Sequence, residues 1–336
     1  MRAKARNVNS LSAAPVEIAW HSGLPVYASE AFLRTVGQEW GWIGGKDESG
    51  ELRCVLPYTV IRKAGVRMVR FRVETIPLGG ALDLGEERSF LNSTIEYFRS
   101  TRADMIIPGT NNAIFRTYPD GAAAAPYGTF IKDLDQPEEA LWSEIHADYR
   151  QNIRKGMKAA VQVASGSGIE YLDTAYNLIS DTLKRSTVKF RNYDEFRRMV
   201  LGLGENVRIF IARYEGVVHA CMVAPFSEHS AYDWYSGTTS KPVRGAMHLL
   251  LWEAIRQFHA MGVKRFNFTG VRINPEKGSK QEGIWNFKMR FGGKLVQGYM
   301  WRYSLHQLKY AAYCVAVRLL KGGDIVDLEH YKLASP

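Results

Sequence analysis

The sequence predicts an α+β protein built from two similar lobes in tandem. Three observations predict it. Hydrophobic residues are 46% of the 336, enough to bury a sizeable core in one large or two medium domains. Segments with strand-like alternation and segments with helical spacing both occur. The order meander, helix, strand can be read twice along the chain.

The stretch "MRAKARNVNSLSAAP" is basic without an apolar centre. Residues 1–15 therefore read as a flexible tail and not as a secretory leader. The first lobe is placed at 16–133. "WGWIGGKDESGELRCVLPYTVI" reads as strand, turn and strand, and "VRMVRFRVETIPL" as further strand. "RSFLNSTIEYFRS" has helical spacing through Phe90, Ile95 and Phe98, and "ADMIIPG" closes the lobe as a short buried strand. A linker containing Pro126, Gly128 and Pro137 leads to the second lobe, 134–302. There "VRIFIARYEGVVHACMVAPF" is strand, turn at Glu215-Gly216, and strand. "SAYDWYSGTT" reads as a third strand. "AMHLLLWEAIRQFHAMG" is a helix with an apolar face from Met247 to Phe258, ended by Gly262. "VKRFNFTG" is the closing strand. Residues 303–336 hold one more helix and a tail. That helix presents Leu305, Leu308, Ala312, Val315 and Leu319 and ends at Gly322-Gly323. Packing on a lobe is the expected fate of that row, with a membrane surface as the alternative, since Tyr and Arg flank it.

Composition narrows the function classes. The net charge is +10, which favours polyanionic or phosphorylated partners; the alternative is a solvated basic surface with no ligand. The three cysteines are far apart, which excludes a disulfide framework and a zinc ribbon. Cys54 and Cys221 fall in matching second strands, where each reads as a small apolar residue. No metal site is expected, because the histidines are scattered. No apolar run reaches the roughly 20 residues that span a bilayer. A reducing, cytoplasmic setting fits best.

Three constellations could carry chemistry. In "DYRQNIRKGMKAAV", Asp148 is placed as a helix cap with Gln151 three residues on. Arg150, Arg154 and Lys158 then form one stripe with no acid among them, suited to a phosphate or to solvent, and Ile153, Met157 and Ala160 form the neighbouring buried face. In "TTSKPVRGAMHLL", Lys241, Arg244 and Gly245 precede a helix whose N-terminus could take an anion, although one glycine makes a poor phosphate loop. In "RINPEKGSKQEGIWNFKMRFGG", a loop with Lys277 and Lys280 leads into residues 283–293, read as a strand. Alternation there puts Trp285, Phe287, Met289 and Phe291 on one face and Ile284, Asn286, Lys288 and Arg290 on the other. That polar face meets either solvent or a cleft. No nucleophile elbow is visible. Asp104, Asp233 and Glu282 are acids that could serve as a base, and their surroundings do not separate them.

The succession "DYRQNIRKGMKAAV", "YDWYSGTT", "LLLWEAIRQFHAMGVKRFNFTGV" and "KGSKQEGIWNFKMRFGG" resembles the FemAB-like transferases, most specifically from Tyr149 to Gly293. The resemblance implies two acyl-CoA N-acyltransferase (GNAT)-like lobes in tandem, each a mixed sheet flanked by helices. It implies transfer of an aminoacyl or acyl group to an amine of a phosphorylated cell-envelope precursor, of peptidoglycan or surface polysaccharide. By its match to the family's "FK" signature, Lys288 is the expected catalytic residue, steadying charge at the attacked carbonyl. The expected substrate-binding residues are Arg150, Arg154, Lys158, Tyr235, Arg244, Lys280 and Arg290. No tightly bound cofactor is expected, and the donor is aminoacyl-tRNA or acyl-CoA. The partners implied are a phosphorylated or lipid-linked acceptor, with tRNA and peripheral contact at the inner membrane face as further options. Two rival readings are kept: a CoA-dependent acetyltransferase of a sugar or lipid intermediate, and a non-catalytic polyanion-binding protein.

Overall fold

The computed structural model describes residues 10–333. The chain forms two compact units. One holds Val36–Gly128, the described residues up to Ala19, and those from Gln297 on; the other holds Trp20–Thr35 and Thr129–Val296. Thus residues 20–35 belong with the second unit, and the C-terminal helices belong with the first.

The first element among the described residues is β1 (Ser12–Val16), so part of the stretch read as a tail is ordered; residues 1–9 lie outside the described residues. The chain then contributes α1 (Glu30–Val36) before β2 (Glu39–Lys46), β3 (Leu52–Lys63) and β4 (Val66–Phe71). These strands form the meander that alternation predicts, each antiparallel to the next from β1 to β4. Asp47 closes the first hairpin by accepting from the Ser49 and Glu51 amides. Ala64 and Gly65 close the second, both at positive φ, as a tight hairpin turn requires. The two-residue β5 (Ile76–Pro77) pairs with β3. Helix α2 (Leu84–Ser100) starts four residues earlier than its apolar spacing suggests. The reason is a capping box: Asp83 accepts from the Glu86 amide at 2.7 Å, and Glu86 accepts from the Asp83 amide at 3.0 Å. The short β6 (Met105–Ile106) then lies parallel to β4. Phe71, Phe90, Phe98 and Trp301 are buried at the centre of this unit.

Strand β7 (Ala123–Asp133) carries the chain into the second unit. There α3 (Glu138–Ser143), α4 (Ala147–Lys158), β8 (Gln162–Gly166), α5 (Ile169–Arg185) and α6 (Tyr193–Leu201) precede β9 (Val207–Tyr214) and β10 (Val217–Pro225). The β9–β10 turn is Glu215-Gly216, again both at positive φ. The segment read as one strand is two, β11 (Ala231–Tyr232) and β12 (Tyr235–Thr238), and they join different sheets. Strand β12 pairs with β10 in the order β12-β10-β9-β8, whereas β11 pairs in parallel with β13 (Arg265–Arg272). Helix α7 (Ala246–Ala260) buries the predicted face on the core of Phe210, Met222, Phe266 and Phe268, with Met247 partly buried at its edge. Gly262, at φ +76°, follows its end. Meander, helix and closing strand thus occur in both units, as the sequence implies.

The remaining elements are α8 (Lys280–Arg290), β14 (Lys294–Ser304), α9 (Gln307–Lys321) and α10 (Ile325–Glu329). Residues 280–290 are a helix, not the aromatic strand that alternation suggested. The cause is again a cap: Ser279 accepts from the Glu282 amide, Glu282 accepts from the Gly278 amide, and Gly292 at φ +83° allows the chain to leave the helix. Among the described residues, no helix is long and apolar enough to cross a membrane.

Candidate functional site

Lys288 is the one buried residue of α8, with 8% of its surface exposed. On a helix it no longer shares a face with Arg290, so the two-faced strand argument for it fails. What holds it is a distorted stretch of β13. Thr269 sits at φ +61°, a conformation unfavourable for a β-branched residue. Asn267 sustains it: its Oδ1 accepts from the Thr269 amide and from the Thr129 hydroxyl, both at 2.7 Å. The distortion aims two successive carbonyls at the lysine. Lys288 Nζ donates to Thr269 O at 3.0 Å and to Gly270 O at 3.1 Å. An ammonium group has three N–H donors. The third has no hydrogen-bond partner among the described residues.

Asp233 lies where β11 and β12 part. Its amide donates to Asn267 O on β13, and the next amide, of Trp234, donates to Val223 O on β10. The backbone thus splays between two sheets at this residue. Its carboxylate accepts from Ser236 Oγ. Asp233 is half-buried. Tyr27, Tyr232, Trp234 and Tyr235 stand nearby, with ring centroids 4.8 Å apart in both the Tyr27–Tyr232 and Trp234–Tyr235 pairs. Burial pushes the Asp233 carboxyl up, against the pull of Ser236 and of the Lys288 charge. Burial pulls Lys288 down to about 8, against the support of Asp233. Both groups are thus driven toward their neutral forms, a carboxylic acid and an amine. Of the three acids that the sequence could not separate, the structure singles out Asp233. Asp104 is taken by Lys309 and the Arg67 amide, and Glu282 by its cap.

The basic residues gather around α4. His146 caps this helix by accepting from the Asp148 amide, so Asp148 is not the cap. The stripe is not unpartnered either. Arg150 donates to Ser143 O, at the end of α3, and to Ile145 O just beyond it, and Arg154 stands 5.5 Å from the centre of the Trp142 ring. Ile153 and Gly156 are the buried positions of α4, while Met157 and Ala160 are exposed, so two of the three residues expected on the buried face are not on it. Arg290 stacks over Tyr149 and stands 3.8 Å from Asp148, and Arg244 donates to Asn152. Tyr235, on β12, accepts from Arg191 instead of joining this group. Lys158 and Lys280 are exposed, with no ion-pair partner among the described residues.

The turn entering α7 is closely covered. A Cβ on Gly245, at φ +89°, would lie 2.2 Å from Asn152 O and 2.7 Å from Gly156 N. Backbone of α4 therefore rests directly on the turn where a pyrophosphate loop was considered. Cys54 and Cys221 are buried strand residues whose thiols burial pushes up to about 12, which fits packing and not nucleophilic chemistry.

Residues 145–288 match the family model described as an acetyltransferase (GNAT) domain. Among curated proteins none matches the sequence. Solved structures with a similar fold include FemX, at TM-score 0.63 and 14% identity, covering 84% of this chain and 92% of that one. The C-terminal domain of a putative lysylphosphatidylglycerol synthetase from Agrobacterium fabrum follows at TM-score 0.53 and 15% identity, covering 87% and 92%. A protein of unknown function from Bacteroides thetaiotaomicron gives TM-score 0.51 at 11% identity, covering 83% and 90%. The α+β fold of GNAT-like lobes expected from the sequence is thus the fold found. Residues 145–288, which include Asp233 and Lys288, thus match the GNAT acetyltransferase-domain model, and the chain around them has a FemX-like fold.

Proposed function

We propose that this chain transfers an aminoacyl or acyl group to an amine on a phosphorylated cell-envelope precursor. The observation that carries the reading is the spare N–H of Lys288 at a buried position within the electrostatic reach of Asp233. The acceptor amine attacks the donor carbonyl, a C–N bond forms, and the carbonyl oxygen becomes an oxyanion. Lys288 donates its third N–H there, an interaction worth about 3 kcal/mol in a dry site. The C–O bond of an ester donor, or the C–S bond of a thioester, then breaks. Asp233 takes the proton lost by the amine, and its raised pKa makes it a stronger base than an exposed carboxylate. Lys158, Lys280 and the remaining donors of Arg150, Arg154, Arg244 and Arg290 hold acceptor or donor phosphates, with Tyr235 flanking the reacting groups. No tightly bound cofactor takes part, and both donors place the reaction in the cytoplasm. The solved relative named for lysylphosphatidylglycerol synthesis supports an aminoacyl donor, since that name describes a lysyl group placed on a lipid headgroup. The α4 backbone lying on the Gly245 turn also counts against a CoA pyrophosphate there. A CoA donor is the second reading, favoured by the acetyltransferase family model.

Binding of charged tRNA, uncharged tRNA and acetyl-CoA at one salt concentration separates the two. Tighter binding of the charged tRNA, lost in Lys288→Ala, is the expected result. Acetyl-CoA binding with no effect of charging assigns a thioester donor. Steeply salt-dependent binding of any polyanion, indifferent to Lys288, would leave only a polyanion-binding protein.

A further inference from the structure

Helix α9 turns its apolar row outward. Leu308, Val315, Leu319 and Leu320 are 80%, 57%, 81% and 81% exposed, and the helix has no buried residue. Leu308, Ala312, Val315 and Leu319 recur at helical spacing and form one stripe along its length. The opposite side is fixed. Tyr310 and Tyr313 pack against Met68, Met105 and Ile107, and Lys309 binds Asp104 at 2.9 Å. The stripe is therefore presented by an anchored helix.

Charge says what covers the stripe. Helix α9 carries Lys309, Arg318 and Lys321 and no acid. The acids that follow are buried. Asp324 and Asp327 bind the buried guanidinium of Arg302 at 2.6 and 2.8 Å, Asp327 also accepts from Arg318 at 3.1 Å although Arg318 stays 65% exposed, and the buried Glu329 pairs with Lys332. Lys309 is held by Asp104, so the exposed cations beside the leucines are Arg318 and Lys321; with the neighbouring carboxylates buried, they are the complement of an anionic interface with an apolar interior. A second copy of the same face would bring its cations against these. The helix is too short to cross a bilayer, so contact is with one leaflet.

We propose that the α9 face seats this protein on an anionic lipid surface. The inference is independent of the transfer chemistry.

The test is flotation of the full chain with phosphatidylglycerol-containing vesicles and with pure phosphatidylcholine vesicles. The comparison protein carries Leu308→Glu, Leu319→Glu and Leu320→Glu, whose exposure leaves the fold intact, as circular dichroism and melting would verify. The expected result is flotation with the anionic vesicles, weakened by salt and reduced at least about tenfold in the triple variant. Arg318→Gln with Lys321→Gln weakens it on anionic vesicles alone. Equal flotation of wild type and triple variant, or no flotation of either, overturns the proposal. So does a wild-type dimer in sedimentation that becomes monomeric in the triple variant, because the face then belongs to a second copy.

Discussion

Replacing Lys288 with methionine separates a functional lysine from a structural one. Lys288 titrates at about 8 against 10.5 for a free lysine, with desolvation as the cause. At about 1.36 kcal/mol per unit, keeping the group charged in its site costs about 3 kcal/mol. Lys288→Met removes that cost and keeps the stem's volume, but it orphans the Thr269 and Gly270 carbonyls, at roughly 1 kcal/mol each. The terms nearly cancel, so urea denaturation at pH 7 should find the variant within about 2 kcal/mol of wild type. The sign with pH is specific. Between pH 8 and 10.5 the unfolded chain holds a proton that the folded chain has lost, so wild-type stability rises with pH across that window. The variant lacks the rise. Its transfer rate, measured with the donor that the binding experiment selects, should fall about 100- to 1,000-fold. A variant destabilised by much more than about 3 kcal/mol, with activity lost only in proportion to unfolding, would show that Lys288 merely props up β13.

Four further outcomes follow from the same geometry. Asp233→Asn should slow transfer and remove the acid limb of the kcat/KM–pH profile; it should also move the alkaline fall to lower pH, because the anion that supports the Lys288 charge is gone. Asn267→Leu leaves the Thr269 amide and the Thr129 hydroxyl without their shared acceptor and should cost about 2–4 kcal/mol in urea denaturation; an unchanged midpoint would deny it the role of sustaining the β13 distortion. Gly245→Ala puts a Cβ 2.2 Å from a carbonyl oxygen at positive φ and should destabilise by at least about 1–3 kcal/mol, read as a drop in Tm. Arg302 holds the Asp327 carboxyl well below the usual range, so this pair's stabilisation is full above pH 3.8 and lost as pH falls through the folded value; Asp327→Asn should flatten that part of an acid denaturation curve.

What the sequence could reveal depended on whether the deciding contacts were local. The Glu215-Gly216 turn and the α7 face were legible because a tight hairpin needs positive φ and a core helix needs apolar spacing. Helix α8 was missed for a physical reason. It buries a single residue, and that residue is a cation, so no apolar period marks it. Trp285, Phe287, Met289 and Phe291 alternate in sequence and imitate a strand. The usable signal was the cap, Ser279 with Glu282 three residues on, and Gly292 beyond. The family motif marks Lys288 without any geometry, whereas the alternation that puts Lys288 and Arg290 on one strand face does not hold on a helix. Asp233 could not be separated from other acids, because its setting is made by β10 and β13 pulling neighbouring residues to different sheets.

The basic stripe and the α9 row show a common limit from opposite sides. Counting acids near Arg150 and Arg154 found none, and the two looked free. Their partners are backbone carbonyls and an indole face, which carry no formal charge to count. Of the α9 row, Leu305 precedes the helix and packs against the first unit's core, while Leu308, Ala312, Val315 and Leu319 do lie along it, and their spacing is the same whether a core covers them or nothing does. Spacing reports a face, and only a neighbour decides its burial. At α9 the neighbours Met68 and Met105 take the tyrosine side, which leaves the leucines to whatever a cationic rim admits.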